Sequence, residues 1–186
     1  MRYILILTIL FLFSCNDNKH VRKYKLPKIN TTSVLEQSLK QSSSISTGLP
    51  FSWDAPSDWI VEEGSSMRIG SYKVPYSKGL GDLSITYFQG DGGGLLANIN
   101  RWRQQLNLEQ ASLQEIQESA IYGQSSIGEF KIFKIINYKD TSTAFLCSIL
   151  TAKSSTIFLK LSIPVEGIEE LENQFKSFVS TFRYNN

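Results

Sequence analysis

The chain has 186 residues, of which 41% are hydrophobic, and a formal net charge of +2. This length suffices for one ordinary domain with a single hydrophobic core, and it argues against a second domain. A nearly neutral chain lacks the strong positive charge that attracts proteins to nucleic acid, so we expect no nucleic-acid partner.

The N-terminus has the pattern of an export signal that ends at a lipidated cysteine. One basic residue, Arg2, precedes an apolar run over residues 3–13, which is too short to span a bilayer. Residues 12–15, Leu-Phe-Ser-Cys, resemble the lipobox of bacterial lipoproteins. The resemblance implies a signal peptide over residues 1–14 and acyl chains on Cys15. An ordinary cleaved signal and an uncleaved membrane stub are the alternatives.

A lipid on Cys15 would hold the chain at the inner or outer membrane of the cell envelope, outside the cytoplasm. Residues 15–48 are rich in Asn, Lys, Ser and Thr, and they contain few large apolar side chains. Such a segment cannot bury enough surface to fold alone, so we expect a lipidated, flexible tether. Its basic residues are either solvated or held against anionic headgroups. The globular domain is predicted over residues 49–186.

Few residues of the domain suit catalysis or metal binding. The single histidine, His20, lies in the predicted tether, so the domain has no histidine for a catalytic triad or a zinc site. Lipidation of Cys15 leaves Cys147 as the last thiol, and its apolar neighbours predict a buried structural residue. No spacing selects a catalytic pair among the acidic residues Asp54, Asp58, Glu62, Glu63, Asp82 and Asp91. We therefore expect no enzyme, no metal and no cofactor.

Hydrophobic periodicity and turn residues define the elements of the domain. Strands are predicted over residues 67–74, 82–88, 120–122, 130–138, 143–151 and 156–163. Helices are predicted over residues 95–106, 109–114 and 165–182. The first strand is expected to stop before Pro75. Strands that follow one another through short turns predict a mainly antiparallel sheet with helices packed on it, an α+β fold.

Five residues between a predicted strand and a helix, Gly90–Gly94, form a glycine-rich connection. Exposed backbone N–H groups of Gly92, Gly93 and Gly94 are a candidate anion-binding loop. The alternative is a tight connection in which glycines adopt positive φ angles. The run lacks the Lys-Ser/Thr ending of a phosphate-binding loop and the spaced glycines of a dinucleotide fingerprint.

Four further residues are candidates for a binding surface. Trp53 and Trp59 are either packing residues at the sheet edge or exposed faces on which a sugar stacks. In the helix after the glycines, Trp102 belongs to the apolar stripe, whereas Asn98 and Arg101 fall elsewhere on the cylinder. Arg101 is thus available to a carboxylate or to a partner.

Three segments carry a family resemblance that covers about residues 49–186. Residues 51–59 (FSWDAPSDW) resemble the opening strand and turn of PsbP-like domains. Residues 156–164 with the helix ending in 175–182 (FKSFVSTF) resemble the last strand and helix of that family. Residues 92–105 (GGGLLANINRWRQQ) are similar to a subgroup of bacterial lipoproteins with this domain.

The resemblance implies an α/β/α sandwich around a mainly antiparallel sheet. It also implies a non-enzymatic role, because relatives such as a photosystem II extrinsic subunit and a Ran-binding factor work by binding proteins. We therefore expect a membrane-anchored lipoprotein whose domain binds, or helps to assemble, a membrane-associated protein complex. A small-ligand or glycan-binding module of the cell envelope is the alternative, and a carboxylate-based hydrolase is less favoured.

Overall fold

A computed structural model of the protein describes residues 48–65 and 67–185. The predicted signal peptide, Cys15 and His20 lie outside the described residues, as does all of the predicted tether before Gly48. Among the described residues, no helix is both long and apolar enough to cross a membrane.

Nine strands and three helices make up the described part of the chain. The strands are β1 Phe51–Ser52, β2 Ile60–Val61, β3 Gly70–Tyr76, β4 Gly79–Gln89, β5 Ile121–Ser125, β6 Gly128–Ile136, β7 Ala144–Ala152, β8 Ser155–Ile163 and β9 Arg183–Tyr184. The helices are α1 Leu95–Gln105, α2 Leu113–Glu118 and α3 Val165–Ser180. Seven strands form one sheet in the order β2-β3-β4-β8-β7-β6-β5, and β1 pairs with β9. Every strand pair is antiparallel.

Helices cover both faces of the sheet. Alternate residues of β8, such as Leu159 and Leu161, point to the face on which α3 packs through Ile168 and Phe175. The other face carries a second apolar cluster, in which Trp102 of α1 contacts the strand residues beneath it. The predicted α+β class, with an α/β/α sandwich around an antiparallel sheet, is therefore confirmed.

The first long strand does not stop before Pro75, and this prediction is wrong. Pro75 lies inside β3 and pairs with Leu80 of β4. On the opposite side of β3 from β4, the strand β2 pairs only with Tyr72 and Lys73. In the described chain, no strand on that side therefore lies beside Pro75 to accept an N–H from it. A proline is tolerated where the missing donor faces away from the ladder.

The short second helix also differs from the prediction over residues 109–114. It begins after Ser112, whose side chain accepts the Glu115 N–H while the Glu115 carboxylate accepts the Ser112 N–H. This capping box sets the start of α2, and the sequence pattern Ser-x-x-Glu carried that signal. Gly123, which follows the predicted strand over residues 120–122, lies inside β5 opposite Phe130.

Candidate binding site at the glycine loop and helices α1 and α2

The glycine loop, Gly90–Gly94, connects β4 to α1 in a conformation that glycine accepts at little steric cost. Four of its residues have φ between +61° and +93°. Gly92 also lies against the Phe158 ring, where a Cβ atom would come within 2.6 Å of a ring carbon. The backbone of this segment is therefore that of a tight connection in which glycines adopt positive φ angles.

Two of the three candidate anion-binding groups of the loop, the N–H groups of Gly93 and Gly94, are directed at Asp91 of the loop itself. The Gly93 N–H donates to the Asp91 carboxylate at 3.0 Å, and the Gly94 N–H donates to the Asp91 carbonyl at 3.2 Å. A carboxylate of the chain thus takes the place that a bound anion would need at Gly93. Anion binding by Gly92, Gly93 and Gly94 stays a prediction.

Asn98 ties the glycine loop to α1. Its Nδ2 donates to the carbonyls of Gly92 and Gly94 at 3.0 and 2.7 Å. Its Oδ1 accepts from Nη2 of Arg101 at 2.6 Å. The expectation that Asn98 lies off the buried side of the helix is wrong, because these bonds draw its side chain under the loop and leave it 2% exposed.

A groove lies along the outer side of α1 and α2, which we call the α1–α2 groove. Its volume is about 630 Å³. Its lining residues are Gly93, Gly94, Leu95, Leu96, Ala97, Asn100, Arg101, Gln104, Gln110 and Leu113. Arg101 is the one charged residue among these described lining residues, and Leu96 and Leu113 are 42% and 45% exposed. The groove therefore offers apolar surface beside a single positive charge.

Hydrogen bonds fix the two helices on either side of this groove. Asn100 donates to the Ala111 carbonyl at 3.0 Å and accepts the Ala111 N–H at 2.9 Å. Arg103 donates to the Glu109 carbonyl at 2.8 Å. The segment between α1 and α2 is thereby attached to α1, and these bonds set the position of α2 along the groove.

A second, smaller groove adjoins the start of α1 at the end of the sheet. Its volume is about 420 Å³, and Gly94 and Leu95 line both grooves. Lys131 and Glu129 lie along its wall, with 4.0 Å between the ammonium and the carboxylate. Because these opposite charges are paired with each other, this groove is less selective than the α1–α2 groove for a ligand of one charge.

The two candidate tryptophans lie on the other face of the sheet, away from Asn98 and Arg101. Trp59 is 6% exposed, and its ring packs 4.6 Å from that of Phe178. The idea of an exposed stacking face at Trp59 is therefore wrong, because α3 covers the ring. Trp53 is half-buried against Phe182, with 5.2 Å between ring centroids.

The tryptophan N–H groups are also engaged. Trp53 Nε1 donates to the Tyr72 hydroxyl at 2.8 Å, and Trp59 Nε1 donates to Gln174 at 3.3 Å. Burial raises the pKa of Tyr72, although the Trp53 hydrogen bond acts in the opposite direction. Trp53 and Trp59 thus form packing contacts, and they do not join Arg101 in one surface.

Two acidic residues from the sequence analysis meet at one lysine. Lys73 Nζ lies 3.3 Å from Glu62 and 3.4 Å from Asp82, and Arg68 contacts Asp82 at 3.2 Å. Burial opposes ionisation of Asp82, but its bonds and the charges of Arg68 and Lys73 outweigh burial and lower its pKa. Neither carboxylate lines the grooves described above. An ionised, cation-paired carboxylate is a poor general acid.

Cys147 is fully buried between the sheet and α1, as its sequence context predicts. Burial raises the pKa of its thiol. Within the described ranges, no group of three or more His, Cys, Asp or Glu residues is placed to hold a metal ion.

Sequence patterns identified only part of the α1–α2 groove. Arg101 and the glycine loop were candidates, and the structure brings them together through Asn98. Leu96 and Leu113 carried no functional signal. Their exposure depends on how α1 and α2 lie beside each other, which no local pattern specifies.

No family model matches the chain, and no curated protein matches it. A crystal structure from Bacteroides thetaiotaomicron is 18% identical, with a TM-score of 0.45, and the match covers 78% of this chain and 48% of that one. The solution structure of cyanobacterial PsbP (CyanoP) from Synechocystis sp. PCC 6803 is 12% identical, with a TM-score of 0.48, over 78% of this chain and 99% of that one. A PsbP domain is thus among the solved structures to which the chain is similar, and neither similarity assigns a function.

Removal of the Asn98 side chain should loosen the glycine loop. We expect Asn98→Ala to lower the free energy of unfolding by about 1–3 kcal/mol, because two loop carbonyls lose a buried donor. Urea denaturation measures the change, with Gln104→Ala on the exposed side of α1 as the control. Equal stability of the two variants would contradict the bridging role of Asn98.

Proposed function

We propose that the chain is a membrane-anchored lipoprotein whose domain binds a protein partner through the α1–α2 groove, without catalysing a reaction. The observation that carries the proposal is the pairing of exposed Leu96 and Leu113 with Arg101 along one fixed groove. Apolar anchors surrounded by polar groups, with arginine enriched, are typical of protein interfaces. The sequence resemblance to PsbP-like domains supports the same class of function.

The lining of the groove defines the chemistry of the partner. An apolar side chain would occupy the space between Leu96 and Leu113, since both are partly solvated in the described structure. A carboxylate beside it would pair with Arg101, whose Nη2 is already oriented by the Asn98 oxygen. The expected partner is therefore a protein segment in which a large apolar residue neighbours Asp or Glu.

Attachment at Cys15 would restrict the search for this partner to the membrane surface. A tether of about 34 residues, from position 15 to 48, gives the domain reach while it keeps the local concentration high. Membrane-associated complexes outside the cytoplasm are thus the proposed partners.

Site-specific photo-crosslinking in intact cells tests the groove. A photoreactive residue at Gln104, which lines the groove, should capture one reproducible membrane protein from the full-length chain. The same residue at Asn173, exposed on α3 across the sheet, is the matched control and should not capture it. Equal capture from both positions, or none from Gln104, would contradict the proposed site.

Leu113→Asp should abolish this crosslink. The change places a charge in the apolar part of the groove, and loss of a hot-spot residue at the centre of an interface costs about 2 kcal/mol or more, roughly a thirtyfold loss of affinity. The domain should stay folded, because Leu113 is 45% exposed. An unchanged urea midpoint with an unchanged crosslink would show that the apolar wall does not contribute to binding.

A further inference from the structure

The sheet ends in an outer strand, β5, that is suited to pair with another strand. In the described parts of the chain, β6 is the one strand hydrogen-bonded to β5. A two-residue turn, residues 126–127, joins them, so the closing pair Ser125 and Gly128 is hydrogen-bonded. Because bonded and non-bonded pairs alternate, the N–H and C=O groups of Tyr122 and Gln124 face outward.

The two ends of the sheet differ in how they are protected. At the β2–β3 end, the outer strand has two residues, Pro75 removes a donor, and Lys73 and Glu62 form an ion pair at 3.3 Å. Short edge strands, proline and charge are the usual devices that prevent a sheet from growing. β5, with the sequence Ile-Tyr-Gly-Gln-Ser, has five residues, no charge and no proline.

The side chains of β5 leave its outer edge open. Tyr122 is 52% exposed, and the Lys131 ammonium lies 5.7 Å from the centre of its ring, which holds the ring over β6. Gly123 has no side chain, and the Phe130 ring fills the space that a Cβ atom would occupy. A neighbouring strand could therefore approach β5 along its whole length.

We propose that β5 pairs with β5 of a second copy of this chain, antiparallel, with Gly123 on the two-fold axis. In this register Tyr122 of one copy stands opposite Gln124 of the other, and the outward groups of both residues form the new hydrogen bonds. The pairing joins two seven-stranded sheets into one continuous sheet.

Self-complementarity favours a second copy over an unrelated strand. Every outward group finds its counterpart in the same five residues, and no like charges are placed opposite each other, because β5 is uncharged. Such a two-fold contact is isologous and closes at a dimer, so it does not propagate into a fibre. The dimer also leaves the α1–α2 groove of each copy outside the pairing strands.

Cysteine crosslinking tests the register. Full-length genes that encode Tyr122→Cys and Gln124→Cys, coexpressed with different tags and oxidised in membranes, should yield a mixed dimer that carries both tags in one band. Directly opposite Cβ atoms lie about 4.5–5.5 Å apart, whereas the diagonal pairs formed by either variant alone lie about 7–8 Å apart. Each variant alone should therefore crosslink no more than the wild-type chain.

Other results would overturn the proposal. Crosslinking of one variant with itself at the level of the mixture would indicate another register, or non-specific contact. Absence of the mixed dimer would exclude the pairing of β5 strands. Crosslinking of either cysteine to a different protein in place of the second copy would assign the edge to a heterologous strand.

Sedimentation of the detergent-purified full-length chain supplies an independent readout. The wild type should be a dimer and Gln124→Pro a monomer, because proline removes an N–H that faces away from β6 and so blocks only the new pairing. Gln124→Thr keeps that N–H and should remain a dimer. Urea denaturation of both variants should be measured after dilution to a concentration at which both are monomers. Equal midpoints there would show that Gln124→Pro has lost the pairing and has kept its fold. A monomeric wild type would overturn the proposal.

Discussion

Cys15→Ser should release the protein from membranes into the aqueous fraction of the cell envelope. Each buried methylene of an acyl chain contributes roughly 0.8 kcal/mol, and a single chain gives only marginal attachment, whereas two or three hold a protein durably. Serine has no thiol for the proposed lipid, so the whole of the proposed anchor would be lost with one atom. Membrane fractionation and immunoblotting measure the change.

Asn16→Ser is the matched control, because it alters the neighbouring residue and keeps the thiol. It should remain in the membrane fraction, and intact-mass analysis should find the lipid on the wild type and the control alone. An unmodified thiol at Cys15 in native material would contradict the lipoprotein assignment. Membrane fractionation of Cys15→Ser equal to that of the wild type would do so as well.

Elements with an uninterrupted period were predictable from the sequence. In β8, Ile157, Leu159, Leu161 and Ile163 occupy alternate positions, and all four are buried on one face. In α3, the stripe that includes Phe175 follows helical spacing and is buried to the same degree. The periodicity of apolar residues is enough to predict these elements, because one face of each is buried in the core.

Features that depend on neighbouring elements were not predictable in this way. The predicted strand ended before Pro75. In the structure Pro75 lies inside β3, because β2 is too short to reach it and no neighbouring strand of the described chain accepts an N–H from position 75 there. The sequence could not decide between packing and exposure for Trp59, and α3 covers it. The exposure of Leu113 results from the packing of α1 beside α2. Each outcome is a property of tertiary contact, and a local pattern contains no information about it.

The two faces of the sheet differ in what they carry: one has the larger apolar core, and the other has the proposed groove. The face under α3 carries the larger apolar core, including the aromatic cluster of Trp59, Phe178 and Phe182. The other face carries α1 and α2 with the proposed groove. Changes beneath α3 should therefore reduce stability without altering the lining of the groove.

Phe175→Ala should destabilise the domain by about 3–5 kcal/mol, among the largest effects of any single core substitution. Phe175 is fully buried between α3 and the sheet, and alanine removes its transfer free energy and leaves a cavity. Urea denaturation of the full-length chain measures the loss. Lys176→Ala, at the exposed neighbouring position of the same helix, should change stability little. A Phe175→Ala midpoint equal to that of Lys176→Ala would contradict the packing of α3 on this face.

The same variant separates folding from binding. At temperatures where Phe175→Ala remains folded, the crosslink from Gln104 should persist, because the substitution lies across the sheet from the α1–α2 groove. Leu113→Asp should show the converse, a lost crosslink with an unchanged unfolding midpoint. Loss of the crosslink in folded Phe175→Ala would mean that the groove depends on the packing beneath α3, and that one cooperative core supports both faces.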